Sequence, residues 1–135
     1  MARVPSYAAL LWPSLRAVIE LGGSATIDQI DDLVITRGKY SREVRGVQHT
    51  DRGPDAERNY RTEIQYRLAW ARTYLKGMGL LERGDRRGLW RVTPRGRKVK
   101  EADVDRLHVA YRASIREKAK QRRDELERTS VGAQP

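Results

Sequence analysis

The stretch that decides the fold runs from Asp55 to Lys98, DAERNYRTEIQYRLAWARTYLKGMGLLERGDRRGLWRVTPRGRK. Asp55 is a good helix cap, and over about Ala56 to Lys76 the residues Ile64, Leu68, Ala71 and Leu75 recur on one narrow face with the period of an α-helix. That face is predicted to be core. Gly77 is the natural stop, and Met78 to Arg83 with Leu89 to Thr93 read as two strands around Gly84-Asp85-Arg86-Arg87-Gly88, where glycine at both ends allows a tight turn. Thr93-Pro94 pairs a capping side chain with proline at the first helical position, so another helix starts there.

Upstream, Pro5-Ser6 precedes an apolar stretch, Tyr7 to Trp12. Pro13 is expected to open a second helical piece through Leu21, with Leu15, Val18 and Ile19 on one side, and Gly22-Gly23 ends it. Ser24 to Ile27 fits only a small strand, after which Asp28 is expected to cap a helix from Gln29 to about Arg37 that buries Ile30, Leu33 and Val34. Lys39 to Pro54 has no clear period and reads mostly as loop, with Ser41 able to cap one short turn. Downstream, Val104, Leu107, Tyr111, Ile115 and Ala119 form a stripe on a helix from about Asp103 to Arg128, and Thr129 to Pro135 reads as a frayed tail.

The resulting order is helix, short strand, helix, helix, strand, turn, strand, helix. It predicts an α+β, mainly helical fold: a winged helix-turn-helix over 6–100, with a C-terminal helical extension over 101–128 and a tail over 129–135. A chain of 135 residues has room for one domain of ordinary size, and a mean hydropathy of −0.77 leaves solvated segments beside a modest core. With no cysteine, it holds neither a disulfide nor a thiolate metal site. No stretch approaches membrane-span length and the N-terminus lacks a signal pattern, so the expectation is a cytoplasmic protein without a membrane partner.

The formal net charge is +10 and the isoelectric point is near 10.4, a balance suited to a polyanionic partner. Almost all of it comes from one third of the chain. Residues 1–51 hold six basic and six acidic side chains, 52–100 hold fourteen and five, and 101–135 hold eight and seven. The basic segment is also the segment that makes the long helix and hairpin. Opposite Ile64 and Leu68 the helix carries Arg58, Asn59, Arg61, Thr62, Gln65, Tyr66 and Ala69, chemistries that suit base edges in a major groove: Asn or Gln on adenine, Arg on guanine, Thr, Ala or an aromatic ring on a methyl group. A polar solvated face would look much the same, and it is the basic hairpin beside it that favours recognition. Arg83, Arg86 and Arg87 on the hairpin and Arg95 on the next helix are the expected contacts to phosphates or a narrow minor groove. Trp70, Tyr74, Trp90 and Trp12 read as packing, which leaves Tyr66 as the aromatic placed outside.

Catalysis has little support. His49 and His108 lie in different elements, no phosphate-cradling loop is present, and the adjacent Asp31 and Asp32 diverge on a helix. No catalytic residue, metal ligand or cofactor is expected.

Two segments, Arg67-Leu-Ala-Trp-Ala-Arg-Thr-Tyr-Leu-Lys-Gly-Met-Gly-Leu-Leu-Glu82 and Arg87-Gly-Leu-Trp-Arg-Val-Thr-Pro-Arg-Gly-Arg97, resemble the N-terminal domain of the Mrr restriction-system family in order and spacing. The likeness extends more loosely over Ser6 to Lys100, and it is lost between Lys39 and Asp55 and after Glu101. The resemblance implies a winged-helix DNA-binding domain that, in restriction proteins, delivers a separate nuclease domain to DNA, often modified DNA. The nuclease signature of Glu or Gln, one residue, then Lys is missing from these residues, so DNA reading without cleavage is the expected activity. Double-stranded DNA is the expected partner, together with a separate nuclease or effector subunit or a homodimer through 103–128. A dimeric transcriptional regulator and a protein interaction module without DNA binding are the alternatives.

Overall fold

The computed structural model describes residues 3–50 and 61–132, with side chains described to Ser130. Its elements are α1 (Tyr7–Glu20), β1 (Ser24–Thr26), α2 (Ile27–Gly38), α3 (Arg42–Gly46), α4 (Glu63–Gly77), β2 (Leu81–Arg83), β3 (Leu89–Val92), α5 (Pro94–Lys98) and α6 (Glu101–Gly132). The fold is α+β and mainly helical, with one small antiparallel sheet in the order β1-β3-β2. β3 is central, pairing Ala25 with Trp90 on one side and Leu81 with Val92 on the other.

Four starts and stops differ from the sequence reading. α1 runs unbroken through Pro13. Proline gives up one helical hydrogen bond, but Leu10, Leu11, Leu15 and Val18 are all buried on one face, and Ala9, whose carbonyl loses its partner, is exposed to water. α2 starts at Ile27, because Thr26 caps it: its hydroxyl accepts from the Gln29 N–H, and the Gln29 side chain accepts from the Thr26 N–H in return. Asp28 falls inside the first turn, where its charge suits the helix dipole. α4 likewise starts at Glu63 behind a second such box, Thr62 with Gln65, and not at Ala56 behind Asp55. Asp55 and the rest of 51–60 lie outside the described residues. At the other end, α6 continues to Gly132, so Thr129 to Gly132 is helix and not frayed tail.

α4 lies against α1 along its length, and the core joins Leu10, Leu11, Leu15 and Val18 of α1 to Ile30 and Val34 of α2, to Ile64, Leu68 and Leu75 of α4, and to Leu81, Trp90 and Val92 of the sheet. The short α5 sits on the sheet through Gly96, where an added Cβ would come within 2.2 Å of the Leu80 carbonyl oxygen. The first turns of α6 close the core with Val104 and lean Leu107 and Tyr111 on it. α3 occupies the segment expected to be loop, capped by Ser41 as the sequence allowed.

Candidate nucleic-acid interface

Because Ile64, Leu68, Ala71 and Leu75 point inward, the opposite side of α4 presents Gln65, Tyr66, Ala69, Trp70 and Thr73. The β2–β3 hairpin stands beside it. Between α4, the start of α2 and the hairpin lies a groove of about 390 Å³, to which Asp28, Arg61, Gln65, Thr73 and Arg83 contribute polar side chains. The Arg83 guanidinium rests 4.9 Å from the centre of the Trp90 ring, which holds it at the hairpin edge of the groove.

On the floor of this groove Arg72 pairs with Asp31, and both are buried. Burial is the main influence on each. It raises the Asp31 carboxyl to about 6, with Arg72 opposing the shift, and it lowers the Arg72 guanidinium, with Asp31 opposing. Arg61 and Arg83 also push the Arg72 value down, so three guanidinium groups share the field of one groove. Arg72 is committed to the α2–α4 contact and Asp31 is a packing residue. Nothing local in the sequence points to the pair, whose members are separated by 41 positions.

Upstream of α4 a second network fixes the entering chain. Gln48 and Thr62 form an isolated bridge, the Glu63 N–H donates to the Val47 carbonyl at 2.7 Å, and the His49 N–H donates to the Arg61 carbonyl at 3.0 Å. Glu63 holds His49 Nδ1 at 2.8 Å and Arg67 Nε at 3.1 Å. Burial would raise the Glu63 carboxyl, but the hydrogen bonds from His49 and Arg67 outweigh it and hold the group below its ordinary value. Arg67 also donates to the carbonyls of Val4 and Pro5, which ties the N-terminal segment to α4.

The expected site residues fall into four groups. Arg61, Gln65 and Arg83 line the groove together, and Tyr66 shares a second, shallower groove with Arg61. Arg86 and Arg87 are exposed at the hairpin tip, where Gly88 takes a positive φ of 82° and closes the turn; Arg95 is exposed on α5 and lines neither groove. Thr62 and Gln65 serve the capping box. With its amide oxygen accepting from the Thr62 N–H, Gln65 has its NH₂ and one further lone pair for a ligand, so a bidentate contact to adenine would have to share that oxygen with the cap. Arg58 and Asn59 lie outside the described residues.

Two residues of the outward face were missed. Trp70, expected in the core, is 45% exposed, and Thr73 stands one turn from Ala69. The helical period could have placed both outside, because Trp70 lies four positions after Tyr66, but its apolar character suggested burial. Trp90 is buried as expected, and Tyr74 is half-buried against Tyr7 at a ring distance of 4.6 Å. His108 accepts or donates a hydrogen bond with the Tyr7 hydroxyl at 2.9 Å. Among the described residues no group of three or more His, Asp or Glu side chains is arranged to hold a metal ion, and no helix is long and apolar enough to cross a membrane.

Residues 7–102 match the family model described as the Mrr N-terminal domain. Neither the comparison with curated proteins nor that with solved structures returns a match.

Proposed function

The chain belongs to the Mrr N-terminal domain family, which associates it with restriction systems, and on that premise we propose that it is a winged helix-turn-helix that binds double-stranded DNA. α4 is the recognition helix and the β2–β3 hairpin is the wing. The observation that carries this reading is the groove in which the outward side of α4 and the hairpin meet, with Arg61 and Arg83 on its walls and Arg86 and Arg87 just beyond at the tip. Gln65, Ala69 and Thr73 face base edges, and the guanidinium groups take the phosphates on either side. Arg95 adds a phosphate contact from α5. The proposal covers reading DNA and leaves any cutting to a separate subunit or domain. α6 serves as the element of attachment or dimerisation, because its second half leaves the domain.

A gel-shift titration in rising salt tests the proposal. If Arg61, Arg83, Arg86, Arg87 and Arg95 neutralise about five phosphates, log affinity falls with log salt at a slope of about −4.5. Replacing Arg86 and Arg87 together by Ala should weaken all sequences alike and flatten the slope by about 2. Gln65→Glu keeps the capping box, and therefore the thermal midpoint, yet places a negative charge in the groove and should weaken binding. A flat salt response, or a Gln65→Glu protein that binds as well as the original, contradicts the reading.

A further inference from the structure

Trp70 has no part in a reading that uses only base edges and phosphates, and it is the largest apolar side chain left exposed on the described surface of α4. Its ring is nonetheless held firmly. Tyr66 meets it edge-on at 6.3 Å and 81°, and Tyr74 meets it at 6.3 Å and 56° from the following turn. Those two rings are anchored in turn, Tyr66 by stacking on His49 at 3.7 Å and Tyr74 by Tyr7, His108 and Tyr111. The indole is thus exposed and pre-ordered. A shallow groove of about 300 Å³ runs beside it, lined by Arg61, Tyr66, Ala69, Trp70 and Thr73.

The chemistry of this groove is an aromatic face, a methyl, a hydroxyl and a guanidinium at the edge. A paired base in a major groove offers only its edge, with its faces covered by its neighbours. An unpaired base offers a free π-face, and exposed aromatic rings in a basic setting are the common platform for it. Charge favours nucleic acid over a protein occupant, because the groove lies in the segment with fourteen basic and five acidic side chains. We infer that the groove takes one unpaired nucleobase, stacked on the Trp70 indole with its phosphate toward Arg61. This rests on the nucleic-acid reading above and adds that the protein prefers DNA in which a base has left the stack.

The test measures affinity of the full chain for a short paired duplex and for the same duplex with a single-nucleotide bulge carrying a fluorescent adenine analogue. The bulged duplex should bind about tenfold tighter, with the analogue quenched on binding. Trp70→Ala should abolish both the preference and the quenching while leaving affinity for the paired duplex unchanged, and Trp70→Tyr should restore most of both. Because Trp70 is exposed, the thermal midpoint of each variant should stay close to that of the original protein, and this is checked first. Equal affinity for the two duplexes overturns the stacking site and leaves the proposed function standing. So does an equal loss on both duplexes in Trp70→Ala, which would make Trp70 a contact to paired DNA. Binding of the bulged duplex alone would support the stacking site and overturn the duplex reading, and binding of neither overturns both.

Discussion

Asp31 and Arg72 show how a charged residue in a basic chain is withdrawn from ligand binding. Once paired and buried between α2 and α4, Arg72 fixes how α4 sits, and removal of either partner leaves an uncompensated charge in the interior. Burial holds the Asp31 carboxyl at about 6 against 3.8 when exposed, so the folded protein takes up this proton more readily than the unfolded chain. Asp31's contribution to stability is fully present below about pH 4 and is lost as pH rises to about 6, by at most about 3 kcal/mol. Urea midpoints at the two ends of that range should therefore fall for the original protein relative to Asp31→Asn. A constant difference between the two proteins would contradict the assignment. Nothing local announces this pair. The sequence does show that the adjacent Asp31 and Asp32 diverge, and Asp32 is exposed, but which of them meets a cation depends on a helix met 41 residues later.

At the scale of elements, local chemistry was legible where it is self-contained. The glycine-bracketed hairpin and the Thr93-Pro94 start needed no distant partner to be read. Where an aspartate competes with a Thr-x-x-Gln box for a helix start, the box wins, at Thr26 to Gln29 and again at Thr62 to Gln65. At Pro13 the outcome is the opposite, because burial of a whole face of α1 overrides the local break. The contact of α5 with the sheet lies on the tertiary side of the same divide. Gly96→Ala would push a methyl group into the Leu80 carbonyl and the Val92 side chain, so α5 must shift, at a cost of about 1–3 kcal/mol. Gly46, in α3, has nothing within 4 Å of an added Cβ and serves as the control. Thermal midpoints should fall clearly for Gly96→Ala and stay near the original for Gly46→Ala; equal effects would mean that the close approach at Gly96 has no energetic weight.

Across the whole molecule, α6 is the element whose two ends behave differently. Its 32 residues span about 48 Å, and the contacts with the domain come from Val104, Leu107, His108 and Tyr111 near its start. Gly77 makes room for this docking, since a Cβ there would run into the Tyr111 ring. Beyond Tyr111 the described side chains are exposed apart from a half-buried Ala119. A protein ending at Ser114 should keep the thermal midpoint of the full chain, whereas one ending at Ala102 should lose several degrees because it removes Val104 from the core. Similar losses in the two would show that the outer half also packs, and a lower mass in solution for the protein ending at Ser114 would assign that half to self-association. The sequence by itself determined the order of the longer helices, the hairpin, the family likeness and the concentration of charge between 52 and 100, because periodicity and turn chemistry are properties of neighbouring residues. The tertiary structure alone decided that Arg72 is spent in the interior and that Trp70 is left outside. Periodicity fixes the faces of a helix relative to one another, but which face is covered depends on the elements that pack against it.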